Sequence, residues 1–297
     1  MRVLVCVDSG QCSEILVDFV GQYCWPENSS FLVLTVESPL DIGEEEANLE
    51  FLKAIRERQQ TKSEALVNQA YESLKGKLSG HELDSRIESS HNAAEAILDV
   101  ASDWKADLIV IGSHNKVGIQ RLLIGSVSSS VMLKSTCSVH VVKFEKQDSA
   151  QDHHVLVALD QSEYADRVID FIADRPWPGE TKFKFFSVAE GSSAVLPQEN
   201  PLAVINSVQD RDEMYQKLHK FLGEKAGAFM SRVEGAKVEI VVKDGDPREV
   251  ILAEIEKWPA KQVILGSRGK SNLERMLLGS VSHAVMSYSP CNVEVVK

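Results

Sequence analysis

Short apolar runs, many of them β-branched, alternate along this chain with longer stretches in which apolar residues recur at helical spacing. The second half shows this best. Its pattern predicts strands near residues 154–159, 181–187, 236–242, 261–265 and 292–297, and helices near 163–173, 207–232, 247–257 and 280–287. Near-continuous apolar strands separated by helices imply a parallel sheet covered on both faces. Helix starts are marked as well. Asp246, Pro247 and Glu249 combine an N-cap, a proline at the first helical position and a capping glutamate, and Asn92 with Glu95 repeats the device in the first half. The stretch Glu44 to Lys77 reads as an amphipathic helix with Leu49, Leu52, Ile55, Leu66 and Leu74 as its buried positions. Trp25-Pro26 and Trp177-Pro178, each after a first helix, read as tryptophan caps over the core.

The pattern occurs twice. Val3 to Asp8 and Val155 to Asp160 are near copies, as are the endings Ser135 to Lys143 and Ser289 to Lys297. Asp8 and Asp160 lie 152 residues apart, and Gly112 and Gly266 lie 154 apart, a near-constant offset that marks a duplicated domain. The polar, pattern-free segment around 146–153 reads as a linker, which gives domains at 1–145 and 154–297.

Composition narrows the function classes. A net charge of −12 opposes nucleic acid and anionic lipid as partners, because both require basic surface. Apolar runs fall short of a membrane span, and the N-terminus lacks a signal-peptide pattern, so a cytoplasmic protein is expected. Five cysteines without a Cys-x-x-Cys pair argue against a disulfide framework, and Cys137 and Cys291 read as small buried hydrophobes. His114, His153, His154 and His283 have no metal-ligand spacing, so no metal residue and no catalytic residue is assigned.

The chemistry concentrates after the fourth strand of each half. The second half reads Gly266-Ser-Arg268-Gly269, nine residues, then Gly279-Ser280; the first reads Gly112-Ser-His-Asn115, nine residues, then Gly125-Ser126. Glycines let a backbone turn and approach a ligand, and a helix start beside them offers amides to phosphate. With strand order 3-2-1-4-5, strands one and four flank the point where the order reverses, so Asp160 and Gly266 converge there. One helix-end charge interaction contributes about 0.3 to 1 kcal/mol, whereas micromolar affinity needs about 8 kcal/mol. Several amides, hydroxyls and apolar base contacts must therefore act together. Gly269-Lys270-Ser271 imitates the end of a P-loop, but Ile264 stands where that motif needs glycine, and no GxGxxG follows either first strand.

At these residues the sequence resembles the universal stress protein family in its tandem form. The family's nucleotide motif is glycine, two residues, glycine, nine residues, glycine, then serine or threonine, and Gly266, Gly269, Gly279 and Ser280 match it throughout. The resemblance implies two five-stranded, parallel, doubly wound α/β domains related by a pseudo-twofold axis, with the last strands pairing as an intramolecular dimer. A homodimer of the chain is the other assembly it suggests. It also implies ATP in the second half, with Mg²⁺ or Mn²⁺ on the phosphates in some members. Ala158, Asp160 and Val188 would take the adenine and ribose end, and Gly266, Arg268, Gly269, Gly279, Ser280, Val281 and Ser282 the ribose and phosphates. In the first half Asn115 replaces the second glycine. A left-handed conformation there would cost about 1 to 2 kcal/mol, and its side chain would stand where backbone should meet phosphate. Asp8, Gly112, Asn115, Gly125, Ser126 and Ser128 are therefore expected to form a weaker or empty site. The function expected is a nucleotide-responsive stress or signalling module with an unnamed protein partner; a slow ATPase and a non-binding structural protein are the alternatives.

Overall fold

The computed structural model describes residues 1–8, 11–39, 49–113, 124–143, 153–190, 201–269 and 278–297. Asn115, His114, Lys270, Ser271, residues 44–48 and the expected linker up to residue 152 lie outside them. The chain divides into two compact units that part after Phe144.

The first unit runs β1 (Arg2–Cys6), α1 (Gln11–Gln22), β2 (Ser30–Glu37), α2 (Leu49–Lys77), β3 (Glu82–Ser89), α3 (Ala93–Asp103), β4 (Leu108–Gly112), α4 (Ser126–Lys134) and β5 (Ser138–Val142). The second repeats it as β6 (His154–Ala158), α5 (Tyr164–Ala173), β7 (Lys182–Ala189), α6 (Pro201–Met230), β8 (Lys237–Asp244), α7 (Pro247–Lys257), β9 (Gln262–Gly266), α8 (Ser280–Tyr288) and β10 (Asn292–Val296). Neighbours in each unit pair in parallel, in the order β3-β2-β1-β4-β5 and β8-β7-β6-β9-β10. That is the expected order with its reversal between the first and fourth strands. The expected helix near 207–232 begins earlier, at Pro201, whose fixed φ suits a first helical turn.

Side-chain alternation along the strands builds a core on each face. On β7, Phe183 and Phe185 enter a buried cluster with Val157, Ile169, Ile172, Leu222 and Phe229 beneath α5 and α6. The intervening Lys184 faces the other way, and its Nζ meets Glu254 of α7 at 2.7 Å with both side chains buried. Lys243 also pairs with Glu254. Burial works to raise the Glu254 pKa, and the two ammonium groups more than offset it, holding the carboxyl below its ordinary value. The equivalent positions of the first unit, Leu32 and Val100, are buried and apolar.

The tryptophan caps form in both units. Trp25 Nε1 donates to the Val20 carbonyl at 2.7 Å, and Trp177 Nε1 donates to Ile172 at 2.7 Å; each indole packs edge-on against the first aromatic of the next strand, Phe31 or Phe183. Helix α2 departs from its predicted stripe. Leu74 is buried, Leu52, Ile55 and Leu66 are only half-buried, and the Leu49 side chain lies outside the described set. Val67, Ala70 and Leu74, with Leu78 just past the helix end, carry the apolar contact instead, since only the later turns of this 29-residue helix have a buried stripe at helical spacing. Cys291 is buried as expected, while Cys137 is partly exposed. No helix among the described residues is long and apolar enough to cross a membrane.

Caps set where α3 and α7 begin. Asn92 accepts from the Glu95 amide at 3.3 Å, and Asp246 accepts from the Arg248 amide at 2.8 Å with Pro247 at the first position. The Arg248 side chain, then the amides, hold Asp246 at a pKa of about 2 against an ordinary 3.8. Its lowered folded value means that its stabilisation is present above pH 3.8 and fades as pH falls toward 2. Asp246→Ala is expected to cost about 1 kcal/mol in urea unfolding at neutral pH. The gap to wild type should shrink in the acid window, and a pH-independent gap would refute the ionic contribution.

Candidate functional site

The parallel pairing of β6 with β9 sets Ala158 opposite Leu265, so Asp160 and Gly266 emerge at the same end of the sheet from segments about 100 residues apart. β7 completes that end. The Leu159 amide donates to the Phe186 carbonyl at 2.9 Å, and Val188 lies near the close of the strand, half-buried. Past β9, the Ser267 amide donates to Val296 and the Gly279 amide donates back to the Ser267 carbonyl, both at 2.7 Å. The second of these bonds folds the start of α8 onto the exit of β9.

The three motif glycines meet in this corner for different reasons. A Cβ at Gly266 would lie 2.8 Å from Tyr164 Cβ, so packing against α5 excludes a side chain. One at Gly269 would lie 2.5 Å from Asp160 Oδ2, which sets that backbone against the strand-end carboxylate. Neither has a left-handed φ. Asn115, which replaces Gly269 in the first unit, lies outside the described residues. Gly279 differs again. Its φ of −71° and ψ of 157° suit any residue, and among the described residues a Cβ there would meet nothing nearer than the Ser267 carbonyl at 3.5 Å, an ordinary contact.

Gly279 is also the N-cap of α8, and no side chain caps the helix. Ser280, Val281 and Ser282 form the first turn, whose amides have no carbonyl one turn earlier in the helix to bond to. This is the anion-binding end of the helix dipole. Arg268 sits half-buried beside it, with its Cα 3.6 Å from the Cβ position of Gly279. Asp160 is fixed from its own side, its Oδ1 accepting from the Ser162 amide at 3.2 Å and from the Ser162 hydroxyl at 2.5 Å. The structure thus brings together Ala158, Asp160, Val188, Gly266, Arg268, Gly269, Gly279 and the first turn of α8 at one end of the sheet.

The Ser282 side chain has a bond within the fold. Its buried hydroxyl donates to the Gly266 carbonyl at 2.7 Å, tying α8 to the end of β9. Ser128 does the same to Gly112 in the first unit, also at 2.7 Å. Since both halves keep this bond, it serves the strand-helix junction whether or not the glycine motif is complete. The first unit repeats the frame otherwise, with Asp8 after β1 and Gly125 capping Ser126 of α4. Sequence reasoning missed the tie, although a serine three residues past the capping glycine in both copies was the available signal.

Comparison with known proteins agrees with the duplicated fold. The model of the universal stress protein family matches residues 1–143 and again 153–297. A universal stress protein of Mycobacterium tuberculosis is 28% identical over 197 residues, covering 61% of this chain and 59% of its own length, so the match spans less than two thirds of that relative. One from Mycolicibacterium smegmatis is 23% identical over 312 residues, covering 99% of this chain and 96% of its own. The crystal structure of a universal stress protein from Archaeoglobus fulgidus has the same fold, with a TM-score of 0.63 at 22% identity and coverage of 100% and 96%.

The serine tie makes a paired expectation. Ser282→Ala and Ser128→Ala each leave a strand-end carbonyl without its donor, and each should cost about 1 kcal/mol in chemical denaturation. A cost confined to Ser282→Ala would show that the bond belongs to a ligand site and not to the junction.

Proposed function

The chain belongs to the universal stress protein family, carrying two of its domains in tandem, and from that premise we propose that it is a nucleotide-responsive stress and signalling module whose second domain binds ATP. The observation that carries this reading is Gly279. Among the described residues there is room for a side chain there, and the backbone conformation would accept one, so their packing does not require glycine. A ligand that must come close to the start of α8 does require it.

The phosphates would lie on the amides of Ser280, Val281 and Ser282 and along the backbone of Gly266 to Gly269, with Arg268 supplying positive charge. Mg²⁺ or Mn²⁺ would arrive on the phosphates. Ala158, Asp160 and Val188 would border the ribose and base. No single contact suffices. Helix-end attraction of about 0.3 to 1 kcal/mol has to be joined by several hydrogen bonds and apolar burial to reach the roughly 8 kcal/mol of micromolar binding. The first domain, with Asn115 in place of the second glycine, would bind weakly or not at all. In this reading occupancy of the second domain alters what the protein presents to a protein partner in the cytoplasm; the net charge of −12 argues against nucleic acid in that part.

Calorimetric titration of the whole chain with ATP tests it. Wild type should bind one equivalent, and Gly279→Ala should bind at least about tenfold more weakly, the loss of roughly one charge-assisted contact, with an unchanged Tm. Absence of binding at millimolar ATP, or a Gly279→Ala variant that binds as tightly as wild type, would refute the proposal.

A further inference from the structure

Each domain ends its sheet in an outer strand. Among the described residues β3 and β8 have a strand neighbour on one side only, β2 for the first and β7 for the second. Such an edge presents backbone donors and acceptors that can take a further strand. On β8 the run Ile240, Val241, Val242 is apolar and only half-buried, whereas β7, one strand inward, is buried from Phe183 to Ser187.

Side-chain alternation divides β8 between two faces. Val238, Ile240 and Val242 pack against the cluster beneath α6. Glu239, Val241 and Lys243 take the other face, where Glu239 lies 3.4 Å from Lys184, Lys184 lies 2.7 Å from one oxygen of Glu254, and Lys243 pairs with the other. The charges alternate along this line. Its middle is buried, and its ends, Glu239 and Lys243, reach solvent with 56% and 35% of their side chains exposed.

We infer that β8 is the surface on which a second copy of this chain docks, the two strands pairing antiparallel about Val241. A twofold axis through an antiparallel pair sets like faces opposite each other, so the residue on the axis meets itself. With Val241 there, Ile240 meets Val242 of the second copy and Glu239 meets its Lys243. Opposed side chains in such a pair, about 4.5 to 5.5 Å apart at Cβ, bring these charges into contact. The two lines then join at both ends and close into a ring of four glutamates and four lysines. Other registers lose this match. An axis at Ile240 sets Lys237 against Lys243, one at Glu239 sets that carboxylate against itself, and one at Val242 leaves Lys243 opposite Val241. Charges on an outer strand ordinarily discourage pairing, and here they admit one register of one partner.

The edge of the first domain lacks this property. The position equivalent to Val241 is Arg86, which would meet itself while Asp84 met Glu88, and an axis at Ser85 would set Glu82 against Glu88. One self-matching edge per chain stops the assembly at two copies. Nucleotide plays no part in this pairing, which goes beyond the functional reading above.

Sedimentation velocity of the full chain over a range of concentrations tests it. Wild type should form dimers at submillimolar protein. Val241→Glu and Val241→Lys each place like charges on the axis, and each alone should raise the dimer dissociation constant at least about tenfold, with an unchanged circular dichroism spectrum. An equimolar mixture of the two variants should return to within about threefold of the wild-type constant, because the carboxylate of one then faces the ammonium of the other. Two variants that had lost their fold would not recover in this way. A wild-type chain that stays monomeric, as it would if the edge took an extended segment of another protein, overturns the inference. So does a dimer that both variants leave intact, or one that the mixture fails to restore.

Discussion

The pairing of β6 with β9 is the constraint from which the rest of the second domain follows. Strand order is a statement about which backbone hydrogen-bonds to which, and here it sets His154–Ala158 beside Gln262–Gly266 in parallel. A parallel neighbour reached through a long crossover brings both strand exits to one end. Asp160, Gly266 and the start of α8 meet there for no other reason. The same pairing between β1 and β4 does this in the first domain, so the scaffold for a site is inherited twice while the chemistry on it diverges.

Glycine serves three ends within 14 residues of one loop. At 266 it lets α5 pack against the strand end, at 269 it leaves room for the Asp160 carboxylate, and at 279 it leaves open a space that the described residues do not fill. Only the last speaks directly for a ligand. A motif read as a single phosphate-binding device is therefore a composite, two parts of which are needed to build the corner before anything binds.

Much of this could be read from the residues alone. The duplication and the caps at Asn92 and Asp246 follow from period, spacing and turn chemistry, which are local properties of the chain, whereas the strand order entered as a premise and the meeting of Asp160 with the glycine loop followed from it. What escaped depends on contacts between distant segments. The ties from Ser282 and Ser128 to strand carbonyls and the reason Gly269 has no side chain depend on where a hydroxyl or carboxylate points after the layers assemble. The stripe on α2 was misjudged for a related reason, because helical period gives a face but not the length over which that face finds a partner.

The buried pair of Lys184 with Glu254 has a bearing on assembly. Tandem copies of one fold risk exchanging equivalent helices while the chain collapses. Were α3 to dock where α7 belongs, Val100 would take the buried Glu254 carboxylate from the Lys184 ammonium and leave it only the exposed Glu239, 3.4 Å away; were α7 to dock on β2, Glu254 would be buried against Leu32. An unpaired buried charge costs several kcal/mol, more than such a mispairing can recover. The ion pair thus works as a registration key between otherwise interchangeable parts, one that keeps each half of a repeated sequence from completing itself with the other's helix.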